Sequence, residues 1–215
     1  MKKPTAGIIL AAGESTRFGE PKQLVAVAGG LLIGWPLAAA LESKLDHVVL
    51  VLGCEHDRIR RCLGSAGAHP KCEVIVNPDY RSGQSASLKA GVLRIRNDFP
   101  SVMFLLGDQP LVDTTVIDFL LGRFVASEKP ICVPTHRGTR GNPVLFASCF
   151  YPQLLAIEGD QGARDIIDGH SHQVIAVEID DPRVFLDVDR REDAETATTL
   201  LKARSIRPAV TVRRP

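Results

Sequence analysis

Hydrophobic and polar positions divide the chain into two halves of different character. In the first half, short apolar runs alternate with longer segments whose apolar residues recur at helical spacing. AGIILAAG, from Ala6 to Gly13, is apolar on both faces and bounded by glycine, so it reads as a buried strand. LLIGWPLAAALES then reads as a helix, HVVLVLG as a second buried strand and EHDRIRRCLGS as a short helix. CEVIVN is a third strand, stopped by Asn77-Pro78, and GQSASLKAGVLRI is a helix that starts near Gly83. SVMFLLGD is a fourth strand, and DTTVIDFLLGRFVAS a helix capped by Asp113 or Thr114. Strands and helices in this alternation predict βαβ units and a parallel sheet covered on both faces.

The second half breaks the alternation. PICVPTHRGTRGNPVLFAS predicts two strands joined by a glycine-rich turn, in the manner of a hairpin. Helical segments follow over 148–157 and 162–168, then HQVIAVEI as a strand and VFLDVD as a short strand or strand end. REDAETATTLLKARS closes as a helix, with Glu192 and Asp193 in its first turn where the helix dipole favours negative charge. No internal repeat, low-complexity tract or linker interrupts the pattern. The expectation is one α/β domain over 1–203, a mostly parallel sheet with helices on both faces and a small β segment in the second half. A basic C-terminal tail over 204–215 follows it.

Composition narrows the function classes. Of 215 residues, 45% are apolar and 24% charged, which builds a core that needs no disulfide or metal. The net charge of +1 lacks the footprint of a nucleic-acid binder, and the one basic cluster, KARSIRPAVTVRRP, reads as a solvated terminus. Cys54, Cys62, Cys72, Cys132 and Cys149 are odd in number and form no C-x-x-C pair. They argue against zinc or a disulfide framework, predict buried packing for each thiol, and fit a reducing cytoplasm. His170 and His172 lack a third ligand nearby and read as surface residues. MKKPTAGIILAAG runs too soon into polar sequence for a signal peptide, and no run approaches the roughly 18 apolar residues of a spanning helix. A cytoplasmic protein with neither membrane nor nucleic-acid partner is expected.

In an open α/β sheet, ligands sit beyond the carboxyl ends of the strands. Four polar segments fall there. The first, after Leu10, matches neither G-x-x-x-x-G-K-[ST] nor G-x-G-x-x-G, because Gly13 and Gly19 are six apart and Lys22 follows Glu20-Pro21. Its physics is similar all the same. Ala11, Ala12 and Gly13 permit close backbone approach to an anion, and Arg17 and Lys22 supply charge for a polyphosphate. A tight turn with surface cations is the bland alternative. In LLGDQP, Gly107 ends a strand and Asp108 follows, a natural Mg²⁺ ligand or else a turn aspartate. In FLDVDRRED, Asp187 and Asp189 share one strand face if extended; one of them is a second metal carboxylate, or both are solvated. In NPDYRSGQSASLKAG, Gln84, Ser85 and Ser87 offer hydrogen bonds to a base edge, or merely begin a helix.

Taken in order, LAAGESTRFGEPKQL, NPDYRSGQSASLKAG, LLGDQP, RGNPVLF, GDQGAR and DVDRRED resemble the MobA-like NTP transferases over about Ala6 to Leu201, most of all their molybdenum cofactor cytidylyltransferase branch. The resemblance implies a Rossmann-like nucleotidyltransferase fold, CTP as donor and molybdenum-bound molybdopterin as acceptor, with a cytosine dinucleotide and pyrophosphate as products. It implies triphosphate binding by the backbone of Leu10, Ala11, Ala12 and Gly13, with Arg17 and Lys22 on the phosphates. Asp108, after Gly107, falls at a magnesium-ligand position; Asp187 is taken as the second ligand and Asp189 as its fallback. Mn²⁺ is the alternative metal. Gln84, Ser85 and Ser87 fall where relatives contact the base. Asn142, Pro143 and Asp160 fall on the acceptor side, with His136 and Arg140 as helpers.

Ala12, where the guanylyltransferases carry a second glycine, favours cytidine. Phe18 stands where many members have methionine, a tolerable apolar change. The acceptor is an ionised phosphate monoester, so the reaction needs positioning and charge stabilisation rather than a strong base. The rivals are a guanylyltransferase for the same cofactor, a nucleotidyltransferase for a sugar or polyol phosphate, and a non-catalytic cofactor carrier. Delivery of the product to a molybdenum hydroxylase is a compatible secondary role.

Overall fold

The structure is a computed structural model that describes residues 4–15, 18–159 and 162–204. The first half contains β1 (Thr5–Ala11), β2 (Ala26–Val27), β3 (Gly30–Leu31), α1 (Gly34–Glu42), β4 (His47–Leu52), α2 (His56–Leu63), β5 (Cys72–Val76), α3 (Gln84–Ile95) and β6 (Ser101–Leu106). The second half contains α4 (Thr114–Ala126), β7 (Ile131–His136), β8 (Thr139–Arg140), β9 (Val144–Ala147), α5 (Tyr151–Ala156), α6 (Arg164–Gly169), β10 (Val174–Glu178) and α7 (Arg191–Ala203).

The main sheet runs β5-β4-β1-β6-β9-β7-β10, with β8 paired to β7. β1 lies parallel to β4 and to β6, so that Ile9 sits between Leu50 and Leu105. Its alternate residues serve opposite layers. Ile9 and Ala11 join α1, α2 and α4 through Leu37, Ile59 and Leu120. Ala6 and Ile8 join α3 and α5 through Leu88, Val92 and Leu154. A strand that must be apolar on both faces therefore reads as one continuous apolar run, and this is why β1 and β4 were legible.

The expected hairpin forms, but it is no appendage. β9 pairs antiparallel with β6 on one side and β7 on the other, which carries the sheet onward to β10. The small ribbon β2–β3 replaces the expected first turn of α1, because Ala28 and Gly29 both take positive φ and reverse the chain. A third apolar cluster seats this ribbon on α7: Phe18, Val27, Leu32 and Trp35 meet Leu111, Val188, Ala197 and Leu201.

The VFLDVD expectation fails. Pro182–Phe185 is a 3₁₀ turn capped by Asp181, and 186–189 follows outside any strand, with the Val188 N–H bonded to the Asp108 carbonyl at 2.9 Å. Buried packing also fails for two thiols: Cys62 and Cys149 are exposed, Cys54 and Cys72 half-buried, and Cys132 buried. Cys62 lies on the outward side of the strongly charged α2, and Cys149 in a 3₁₀ turn at the surface. His172 is exposed, whereas His170 is half-buried with its ring against Phe150. Arg204, counted with the tail, is pinned by Asp181 at 2.6 Å and by the Leu111 carbonyl at 3.2 Å; residues 205–215 lie outside the described residues.

Candidate active site

β1 lies at the centre of the parallel strands, with its successors β4 and β5 on one side and β6 on the other. The loops after β1 and β6 therefore part at the switch point of the sheet, and a crevice opens between them. Small residues set its walls. A Cβ on Gly107 would lie 2.8 Å from Ala11 Cβ, and one on Gly53 would lie 2.6 Å from the Ala12 carbonyl oxygen. A Cβ on Gly13 would meet nothing within 4 Å, so that position is open.

The loop after β1 is held from within by Gln23. Its buried side-chain Nε2 donates to the carbonyls of Ala11 at 2.9 Å and Gly13 at 3.1 Å. Ser15 Oγ accepts from the Lys22 N–H at 2.9 Å and donates to Gln23 Oε1 at 3.3 Å. These bonds deliver Lys22 to the carboxylates across the crevice. Lys22 Nζ donates to Asp108 Oδ2 at 2.5 Å and to Asp189 Oδ1 at 3.0 Å. Burial works against its charge, but Asp108 first and Asp189 after it outweigh burial and hold the ammonium above its ordinary pKa.

Asp187 is left on the other side of the cluster, and its Oδ1 accepts from Gln109 Nε2 at 2.9 Å. Partial burial, then the neighbouring Asp108 charge, raises the Asp187 carboxyl above the usual carboxylate value. Asp108 Oδ1 is buried with no hydrogen-bond partner among the described residues. Among the described residues, no three His, Cys, Asp or Glu side chains form a metal cage. Two neighbouring carboxylates, one with a buried oxygen that has no partner among the described residues, have the chemistry that suits a hard cation taking its other ligands from phosphate and water.

Two cavities open at this edge of the sheet, and the first reaches the cluster. The first, about 910 Å³, is lined by Leu10, Ala11, Ala12, Gly13, Lys22, Gln84, Ser87, Gly107 and Asp108 among the expected residues, and by Asp189. The second, about 800 Å³, is lined by Arg140, Asn142 and Arg164 and shares Leu10, Gln84 and Leu106 with the first. Arg140 Nη1 is tied to Asp168 at 2.5 Å, whereas Arg164 has no ion pair among the described residues.

Several expected residues stand elsewhere. Asp187 does not line the first cavity. Neither does Ser85, whose hydroxyl donates to the Gly159 carbonyl at 2.6 Å and ties α3 to that loop. Pro143 and His136 do not line the second; His136 Nδ1 is bonded to the Ile179 carbonyl at 2.8 Å. Arg17 and Asp160 lie outside the described residues.

Sequence reasoning missed Gln23 and Gln109, and also Asn77, whose buried Nδ2 donates to Ser87 Oγ at 3.0 Å. It also missed Arg81 and Glu14, which line the first cavity and pair at 2.9 Å. An uncharged amide gives no periodic or charge signal: Gln23, Asn77 and Gln109 each stood inside a quoted motif, LAAGESTRFGEPKQL, NPDYRSGQSASLKAG and LLGDQP, without a role being read from them. Gly83 begins α3 at φ +99°, a conformation that favours glycine and turns Gln84 into the shared wall of the cavities.

Fold and crevice together are those of a nucleotidyltransferase. The chain belongs to the MobA-like NTP transferase family, whose domain model matches residues 7–174. It is 28% identical over 192 residues to the purine catabolism protein PucB of Bacillus subtilis, across 87% of this chain and 92% of that one. It is 27% identical over 191 residues to the molybdenum cofactor cytidylyltransferase of Escherichia coli, across 88% and 93%. The manganese complex of Rv0371C from Mycobacterium tuberculosis superposes with a TM-score of 0.76 at 26% identity, across 91% of this chain and 98% of that one. Among the described residues, no helix is long and apolar enough to cross a membrane.

Proposed function

We propose that the protein transfers CMP from CTP to the phosphate of molybdenum-bound molybdopterin, forming the cytosine dinucleotide and releasing pyrophosphate. The observation that carries this reading is the shared wall. Leu10, Gln84 and Leu106 line both cavities, so a donor in the first and an acceptor in the second meet at that wall, with Lys22 and Asp108 on the donor side. The cytidylyltransferase relative, aligned over 88% of the chain, supports the choice of acceptor, and Ala12 supports cytidine.

The acceptor phosphate oxygen forms a bond to the α-phosphorus of CTP as the bond to pyrophosphate breaks in line. The attacking oxygen is already ionised near neutral pH, so no side chain has to remove its proton. The open backbone at Gly13 admits the phosphates, and Lys22, with Arg17, neutralises the transferring and leaving groups. A divalent cation, Mg²⁺ or Mn²⁺, fits on Asp108 and Asp187 and supplies charge neutralisation for the nucleotide phosphates. Asp187, which has no cation at ion-pair distance among the described residues, is taken as the second ligand, and Asp189, which lines the first cavity and meets Lys22, is its fallback. Arg140, Asn142 and the uncommitted Arg164 receive the anionic acceptor. The product then passes to a molybdenum hydroxylase.

The test is incubation of the protein with molybdopterin, Mg²⁺ and each nucleoside triphosphate in turn, followed by identification of the dinucleotide. A cytosine dinucleotide with stoichiometric pyrophosphate is expected from CTP. A guanine dinucleotide from GTP in its place overturns the choice of base. No dinucleotide from any of them, with turnover on a sugar phosphate, overturns the acceptor.

A further inference from the structure

Gln109 is 3% exposed, and only half of its amide is used. Nε2 donates to Asp187 Oδ1 at 2.9 Å, while Oε1 is buried with no partner among the described residues. The preceding residue repeats the pattern: Asp108 Oδ2 meets Lys22, and Asp108 Oδ1 is buried with no partner among the described residues. The Asp187 carboxylate fixes the amide orientation, since a flipped Gln109 would set oxygen against oxygen. The backbone reinforces this bond. Val188 N–H donates to the Asp108 carbonyl at 2.9 Å, so the turn after β6 grips 187–188 at two points, one main-chain and one side-chain. Among the described residues, the Gln109 amide is the hydrogen-bond partner of the Asp187 side chain, and it holds that carboxylate beside the like charge of Asp108. A buried acceptor left unmade is costly, and two on consecutive residues beside paired carboxylates call for a donor that arrives with a ligand.

We infer that Gln109 is a positioning residue of the cation site: its amide nitrogen fixes Asp187 beside Asp108, and its Oε1 accepts a hydrogen bond from a water carried by the bound cation. The inference rests on reading Asp108 and Asp187 as the cation ligands. Hard divalent ions, Mg²⁺ above all, keep several waters when only one or two carboxylates bind them, so a water donor comes with the metal. Residues that orient ligands from behind in this way typically alter metal affinity by about 10- to 100-fold when removed.

The test is a titration of the full chain with Mn²⁺ alone, followed by the electron paramagnetic resonance of free Mn²⁺, with melting recorded for each variant. Gln109→Met removes both hydrogen bonds at similar volume, and Gln109→Asn withdraws the amide by one methylene. Each is expected to raise the Mn²⁺ Kd by about 10-fold while a cooperative melt is kept, and Asp108→Asn to abolish binding. If one Gln109 variant does not fold, the other carries the comparison. Mn²⁺ Kd values within about twofold of the parent in a folded Gln109 variant, with Asp108→Asn still abolishing binding, overturn the role of Gln109 and leave the cation site standing. Unchanged binding by Asp108→Asn overturns the cation site and the inference together.

Discussion

Lys22 and Asp187 divide the charge of the site between them. Lys22 Nζ reaches Asp108 at 2.5 Å and Asp189 at 3.0 Å, which leaves Asp187 with a hydrogen bond but no ion pair among the described residues. Burial and the Asp108 charge raise the Asp187 pKa, so the folded protein holds that proton more tightly than the unfolded chain does. The contribution of Asp187 to stability is therefore fully present below its unfolded pKa of about 4 and is lost as pH rises through its folded pKa. Asp187→Asn keeps an oxygen for Gln109 and removes the charge. Its melting temperature is expected to exceed the parent's by roughly 1–2 °C at pH 7, the gap closing towards about pH 4, in metal-free thermal scans. A lower melting temperature at pH 7 would show that the charge stabilises the fold. Asp108→Ala is expected to melt near the parent and to lose at least about 100-fold in pyrophosphate release, because phosphate charge is then left without its metal carboxylate. Near-parent turnover would remove Asp108 from the cation site.

At the scale of elements, α3 shows how contact geometry outweighs propensity. It crosses β1 at Gly91, where a Cβ would lie 2.7 Å from Ile8 Cγ2 and 3.0 Å from Ile8 Cδ1. Alanine improves a helix interior by about 1 kcal/mol over glycine. Overpacking a closed core costs about 1–3 kcal/mol, and Ile8 is fully buried on a central strand with nowhere to turn. Gly91→Ala is thus expected to lower the melting temperature by about 2–4 °C, and a rise would show that α3 stands off the sheet. Such contacts also mark where sequence stops being informative. β1, β4 and β6 announced themselves because both faces are buried, and α4 because Asp113 accepts from the Val116 N–H at its cap. The two-residue strands of β2–β3 are too short to carry a period. VFLDVD has the apolar letters of a strand, yet Pro182 and the Asp181 cap make a 3₁₀ turn of its approach. Antiparallel pairing of β7 and β9 was legible from the glycine-rich turn; the insertion of β9 beside β6 was not, since no local signal records which strand a hairpin edge will meet.

At the scale of the whole molecule, the site is made by chain order. β1 and β6 are neighbours in the sheet, and their loops bring residues 86 positions apart, Lys22 and Asp108, to a shared hydrogen bond. α7 then closes the arrangement from the far end of the chain, seating the β2–β3 ribbon and Val188 in one apolar cluster. Asp108 was legible because the strand order sends the end of β6 to the carboxyl edge; Gln23 and Gln109 were not, because only the assembled edge gives a buried amide its partners. Under the proposed function, the same geometry separates the two substrates. Asn142 lines the second cavity and not the first, whereas Gln84 lines both. A hydrogen bond lost to a bound anion is worth about 1.5 kcal/mol, which is roughly tenfold in affinity. Asn142→Ala is therefore expected to raise the KM for molybdopterin about tenfold while the CTP dissociation constant stays within about twofold. Gln84→Ala should weaken both substrates, as measured by steady-state kinetics beside equilibrium CTP binding. If Asn142→Ala weakened CTP as strongly as the acceptor, the two cavities would have to serve a single ligand, and the division into donor and acceptor sides would fall.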